Sequence, residues 1–195
     1  MNWKMATISN GDLRTVSNKA SHFTVHRIAL LAVMTALSTV GRFVFALPIF
    51  PNIQPMTALF ILITLNIGVL DSLIVSVLSI LLTNMFLGMG PWTVLQMLSF
   101  SVVILLTGLL KSVYDFGTLK NRIFFSIWAL LTGFIYGFII SYFNFHLYGM
   151  NNFFIYYING LPFDVLHGVG NLGFYFLLEP ILVPIIQRRF GELIL

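Results

Sequence analysis

PMTALFILITLNIGVLDSLIVSVLSILLTNMFL, residues 55–87, decides how this chain folds. It is apolar enough to pass for one long helix. Read as one span it gives an odd number of membrane crossings; read as two, an even number. Gly68 and Asp71 favour two, because a glycine followed by an aspartate belongs at a tight, hydrated turn and not in hydrocarbon. The stretch therefore reads as a helix from Pro55 to Leu70 and another from Asp71 to Leu87. Pro55 stands at a first-turn position, where a missing N–H is tolerated.

The rest of the chain has the same character. Its 195 residues are 58% hydrophobic and only 8% charged. Mean hydropathy is +0.97. Further apolar runs extend from Val25 to Ala46, Pro91 to Lys111, Arg122 to Phe143 and Asp164 to Arg188, each long enough to cross or nearly cross a bilayer core. Pro180 and Pro184 should kink or loosen the last of them. The expected class is an all-α membrane protein with six transmembrane helices, a membrane domain over residues 25–190 and a polar tail over residues 1–24. That tail lacks an apolar core of its own and does not read as a secretory signal. No cysteine is present, which excludes disulfides and thiol chemistry.

Charge placement gives the orientation. Lys4, Arg14, Lys19 and Arg27 precede or open the first span, Lys111, Lys120 and Arg122 flank the connection between spans four and five, and Arg188 and Arg189 close the sixth. With an even span count these nine fall on the side of the termini, and Arg42 alone falls near the other face. Basic residues concentrate on the cytoplasmic side of membrane proteins, so both termini are expected in the cytoplasm. The pI near 9.6 is then a topology signal and not a nucleic-acid footprint.

Three connections form the expected outer surface: Leu47–Gln54, Gly88–Gly90 and Asn144–Phe163. The last has no Lys or Arg and is rich in Tyr and Asn. Its length suggests a lid over a binding site, with an interfacial aromatic belt as the alternative. Polar residues collect near the same level. Arg42 ends span one, Asn52 and Gln54 stand between Pro51 and Pro55, and Asn84 ends span three. Trp92, Thr93 and Gln96 open span four, and Asp164, His167 and Asn171 open span six. Polar groups in a membrane are costly unless they face a cavity or a partner, so their shared depth points to an outward-facing pocket. Asp164, His167 and Asn171 lie at i, i+3 and i+7 on one helical face, and Trp92 and Gln96 at i and i+4. The break at Gly88-Met89-Gly90-Pro91 is expected to form one wall, since irregular backbone at this depth needs protein or water to cover it.

Other chemistries lack their parts. No P-loop, no H-E-x-x-H and no G-x-S-x-G occurs. An intramembrane enzyme using Asp164 and His167 as an acid–base pair is the alternative of another class, but no nucleophile or metal set completes it. A pocket with no energy source of its own suggests a binding subunit driven by a partner.

Four stretches carry a family resemblance: ALLAVMTA at 29–36, FPNIQPMTAL at 50–59, LTNMFLGMGPWTVLQM at 82–97 and PFDVLHGVGN at 162–171. Over residues 25–190 the chain resembles the substrate-binding S components of bacterial energy-coupling factor (ECF) vitamin transporters. The GPWT-x-x-QM and D-x-x-H-x-x-GN patterns look most like the cobalamin-type S component, with pantothenate and hydroxymethylpyrimidine types as competitors. The resemblance implies a multi-pass protein of the bacterial cell membrane that captures a vitamin from outside. It implies partners: a transmembrane T component and two cytoplasmic ATPases, which alone use ATP, so no cofactor is expected on this chain. Delivery would follow toppling of the S component in the membrane. The small residues of the first helix, Ala29, Ala32 and Ala36, map onto the face that packs against the T component.

Overall fold

A computed structural model describes residues 25–45 and 52–194, with side chains through Arg188. The tail at residues 1–24, with Lys4, Arg14 and Lys19, and most of the first outer connection lie outside the described residues. The described chain is all-helical: α1 Val25–Phe45, α2 Met56–Asn66, α3 Val69–Leu87, α4 Pro91–Leu109, α5 Leu119–Leu147 and α6 Phe153–Ile194. A short 3-10 turn, Lys111–Val113, follows α4.

Side-chain contacts set the directions. Arg27 meets Asp71 near the N-terminal ends of α1 and α3, and Arg42 meets Thr83 near their C-terminal ends, so these helices run parallel. α2 returns between them. α4 runs back beside α3, joined through Asn84 and Gln96. Trp128 Nε1 donates to Thr107 Oγ1 across the α4–α5 pair. α6 is antiparallel to α5, with Gly133 against Gly168 and Arg122 bonded to Glu179. One end of the bundle, called basal here, thus holds the start of α1, the α2–α3 turn and the α4–α5 connection. The distal end holds residues 52–55, Gly88–Gly90 and Tyr148–Asn152. Among the described residues, every Lys and Arg except Arg42 belongs to the basal half.

Among the described residues, five helices are long and apolar enough to cross a membrane. The sixth, α2, is shorter than the expected span Pro55–Leu70: it has 11 residues and reaches about 16 Å, roughly half a bilayer core. Its residues Met56–Leu65 are all buried. A helix apolar on every side belongs either in lipid as a span or inside a core, and α2 is too short for the first. α2 is therefore the core of the bundle: Phe60 and Ile63 pack with Leu30, Met34, Ile80, Phe100 and Ile186, while Ile61, Leu62 and Leu65 pack with Phe125, Tyr175 and Val183. The turn after it is held by Ile67 and Gly68 N–H groups, both bonded to the Ile63 carbonyl, so α3 starts at Val69, just before Asp71. Ser72 Oγ donates to the Phe60 carbonyl and ties α3 to α2.

The lid-like loop at Asn144–Phe163 is also corrected. α5 continues to Leu147 and α6 starts at Phe153, leaving only Tyr148–Asn152 as connection. Gly149 adopts φ 61°, the left-handed turn conformation, and Asn152 Oδ1 caps the new helix by accepting from the Ile155 N–H at 3.1 Å. The aromatics that suggested a loop pack the two helices together. Phe153 lies 5.6 Å from Phe145 and 5.8 Å from Phe138 and stacks on Tyr157. Pro162, Pro180 and Pro184 all lie within α6, whose 42 residues exceed what a bilayer core requires.

Candidate functional site

The distal ends of five helices bring polar side chains around Tyr136 of α5. Asn84 is the hub of the α3–α4 corner. It is 2% exposed, and its Nδ2 donates to Thr93 Oγ1 at 3.0 Å and to Gln96 Oε1 at 2.8 Å. Thr93 Oγ1 also accepts from the Gly90 N–H, closing the break before α4. Pro91 occupies the first position of α4, where its ring preorganises the helix. Gly90 is required for space: a Cβ there would strike the Trp92 ring, which lies over it.

From α1, Arg42 donates through Nη1 to Thr83 Oγ1 at 2.8 Å. Its guanidinium is within electrostatic reach of Tyr136 and of His167. The Tyr136 phenol lies near the Gln96 side chain and within electrostatic reach of Asp164. His167 presents its ring edge to Tyr136, centroids 5.0 Å apart, while its Nε2 and Thr57 Oγ1 of α2 are hydrogen-bonded at 2.9 Å. Arg42, Gln96 and Asp164 thus lie in the neighbourhood of the Tyr136 phenol, against which His167 packs directly.

The α6 residues depend on close backbone approach. A Cβ at Gly137 would overlap the Asp164 carboxylate, which rests directly on the α5 backbone. A Cβ at Gly133 would fall 2.5 Å from the Gly168 nitrogen. Ile53 seals the top of α6 over Gly170, and Pro55 lies against Gly41. Asp164 is 7% exposed, His167 2% and Asn171 0%. Asp164 Oδ2 and both amide atoms of Asn171 have no hydrogen-bond partner among the described residues. Arg42 and Asp164 form no ion pair with each other; the ion pairs among the described residues are Arg27–Asp71 and Arg122–Glu179.

The structure therefore draws together Arg42, Asn84, Thr93, Gln96, Asp164 and His167, with Asn171 one turn deeper. Asn52 is exposed at φ 66°, and Trp92 is 40% exposed on the outer wall, so neither enters the cluster. Gln54 is half-buried beside the chain's descent into α2. Sequence reasoning missed Tyr136, Thr57 and Thr83. Tyr136 had a legible signal, since Gly133 and Gly137 flank it at helical spacing and mark a helix that must be approached closely. On α1, Ala29, Ala32 and Ala36 are exposed, whereas Leu30, Leu31, Met34, Thr35 and Ser38 face inward.

The family model for the substrate-specific component of ECF transporters matches residues 26–179. The chain belongs to this family. It is a multi-pass membrane protein and a substrate-binding transport subunit, not an enzyme, and S components work in association with a T component and ATPases. No curated protein and no solved structure matches it. The acid–base reading is set aside accordingly, and the engagement of His167 with Thr57 agrees with this. The S component's polar cluster at the distal helix ends is the natural candidate for its substrate site.

Proposed function

We propose that this S component captures cobalamin or a corrinoid precursor at the distal cluster, with that end outside the cell and both termini in the cytoplasm. The convergence of Arg42, Gln96, Asp164 and His167 around Tyr136 carries the reading. Four polar groups at one depth, two of them ionisable and without an ion-pair partner among the described residues, are costly in a membrane unless they face a polar ligand, water or a protein partner. The basal bias of Lys and Arg supports the orientation. The short α2 adds support, since it leaves the distal half of the bundle centre to the cluster. The exposed alanine face of α1 suits docking to the T component, because small residues allow backbones to approach closely in lipid. Toppling of the docked subunit in the plasma membrane, driven by the two ATPases, would then deliver the ligand.

A second reading, pantothenate, rests on Arg42, whose guanidinium has Thr83 as its one hydrogen-bond acceptor among the described residues and is available to a carboxylate. Hydroxymethylpyrimidine is a third member of the test set. The deciding experiment is mass spectrometry of the ligand that copurifies, followed by equilibrium competition among cobalamin, cobinamide, pantothenate and hydroxymethylpyrimidine. Corrinoid binding that the other two fail to displace is the expected result. Binding of pantothenate alone would overturn the corrinoid assignment.

A further inference from the structure

We infer that the ligand is recognised through a cyclic amide-type edge at Asn171 and a hydrogen-bond donor at Asp164, an inference that rests on the capture reading above. Asp164, His167 and Asn171 share one inward face of α6, but only His167 is satisfied, by Thr57. The two flanking residues are the open ones. Asp164 is seated on Gly137 with Oδ2 unpartnered, and Asn171 is fully buried with Oδ1 and Nδ2 both unpartnered. Buried polar atoms are nearly always hydrogen-bonded, so each of these marks a place for a partner that the other described residues do not supply.

The chemistry of the two groups restricts what that is. An ionised carboxylate only accepts, so the ligand donates an N–H or O–H to Asp164. A primary amide offers a donor and an acceptor side by side. Satisfying both calls for a donor and an acceptor on the same side of the ligand, as in a primary carboxamide, a ring nitrogen beside an amino group or an α-hydroxy carbonyl. A carboxylate or phosphate serves Nδ2 and leaves Oδ1 unsatisfied. An open-chain secondary amide holds its N–H and C=O on opposite sides of a planar trans unit and cannot make the cyclic pair. The two sites are separated by roughly 10 Å along α6, the dimension of a vitamin-sized molecule. Corrinoid side-chain carboxamides and an aminopyrimidine edge fit as planar pairs; pantothenate can match Asn171 only through its flexible hydroxy-carbonyl edge, which costs more ordering, and not through its secondary amide or carboxylate.

The test uses the full chain in detergent or nanodiscs, titrated calorimetrically with cobinamide, hydroxymethylpyrimidine and pantothenate. Wild type is expected to bind one of the first two in preference to pantothenate. Asn171→Leu should weaken that ligand by about 30-fold, the loss of two hydrogen bonds, and Asn171→Asp, which keeps the shape but removes a donor, by about 5- to 10-fold. Preference for pantothenate, or equal affinity of wild type and Asn171→Leu, overturns the inference; in the second case capture itself stands and the amide holds ordered water only. If no probe binds wild type, the vitamin assignment fails, and melting of the ligand-free proteins decides the inference. An unsatisfied amide makes Asn171→Leu melt above wild type, whereas a lower melting point means that the protein satisfies Asn171 and the inference is wrong.

Discussion

Replacing Gly133 with alanine tests the packing on which the cluster depends. The added Cβ would stand 2.5 Å from the nitrogen and 2.6 Å from the Cα of Gly168. Carbon atoms in good contact are about 3.5 Å apart, so α5 and α6 must separate by about 1 Å. Both colliding atoms are backbone, and no side-chain rotation relieves them. Overpacking of this kind costs about 1–3 kcal/mol. The displaced helix carries His167, whose 2.9 Å bond to Thr57 would stretch by a similar amount and leave bonding range, adding about 1 kcal/mol. The expected loss is about 2–4 kcal/mol of stability, with weaker substrate capture because Asp164, His167 and Asn171 move together. Gly173→Ala is the matched control. Nothing lies within 4 Å of its new Cβ, and alanine in a helix is neutral to slightly better than glycine, by up to about 1 kcal/mol. Both variants are compared with wild type by reversible unfolding in mixed micelles and by ligand titration. A Gly133→Ala protein as stable as wild type, or a Gly173→Ala protein equally damaged, would refute the close-approach argument.

Other perturbations separate the parts of the molecule. Arg27→Ala strands the buried Asp71 carboxylate and should cost more stability than the Arg27→Ala/Asp71→Ala double substitution; a double-mutant cycle with no coupling would remove the pair from the account of how α1 is held. Gln96→Ala should weaken capture by about 1–3 kcal/mol, since it breaks the Asn84 and Tyr136 contacts at the cluster, whereas Trp92→Ala should leave affinity nearly unchanged; titration of both reads the contrast, and the reverse order would move the site to the outer wall. Ala32→Trp should bind substrate normally but fail in cellular uptake, and uptake at the wild-type rate would remove the alanine face from the docking role.

The fold was legible where composition and punctuation agreed. Gly88, Gly90 and Pro91 mark the α3–α4 corner, and Gly68 with Asp71 marks the turn that separates α2 from α3. α2 was harder, because its apolar run continues past Asn66 and hydropathy does not register where a helix stops inside a buried core. The helical character of residues 153–163 was hidden for the opposite reason. Tyr, Phe and Asn are middling helix formers, and with Gly160 and Pro162 among them they resembled a loop, while ring packing against Phe138 and Phe145 decided otherwise. At the site, the depth argument brought most of the polar residues into one place. It could not tell inward from outward faces at the start of α4, where Trp92 covers Gly90 from outside while Gln96 turns in.

The enclosure of α2 has a consequence for how the chain is built. A half-length helix has no grip on a bilayer by itself, so the α2 segment has no settled position until later helices arrive around it. Thr57 waits for His167, 110 residues downstream. α6 completes the casing of α2, and a nascent chain halted before α6 would hold that segment in the membrane with its polar end unmatched.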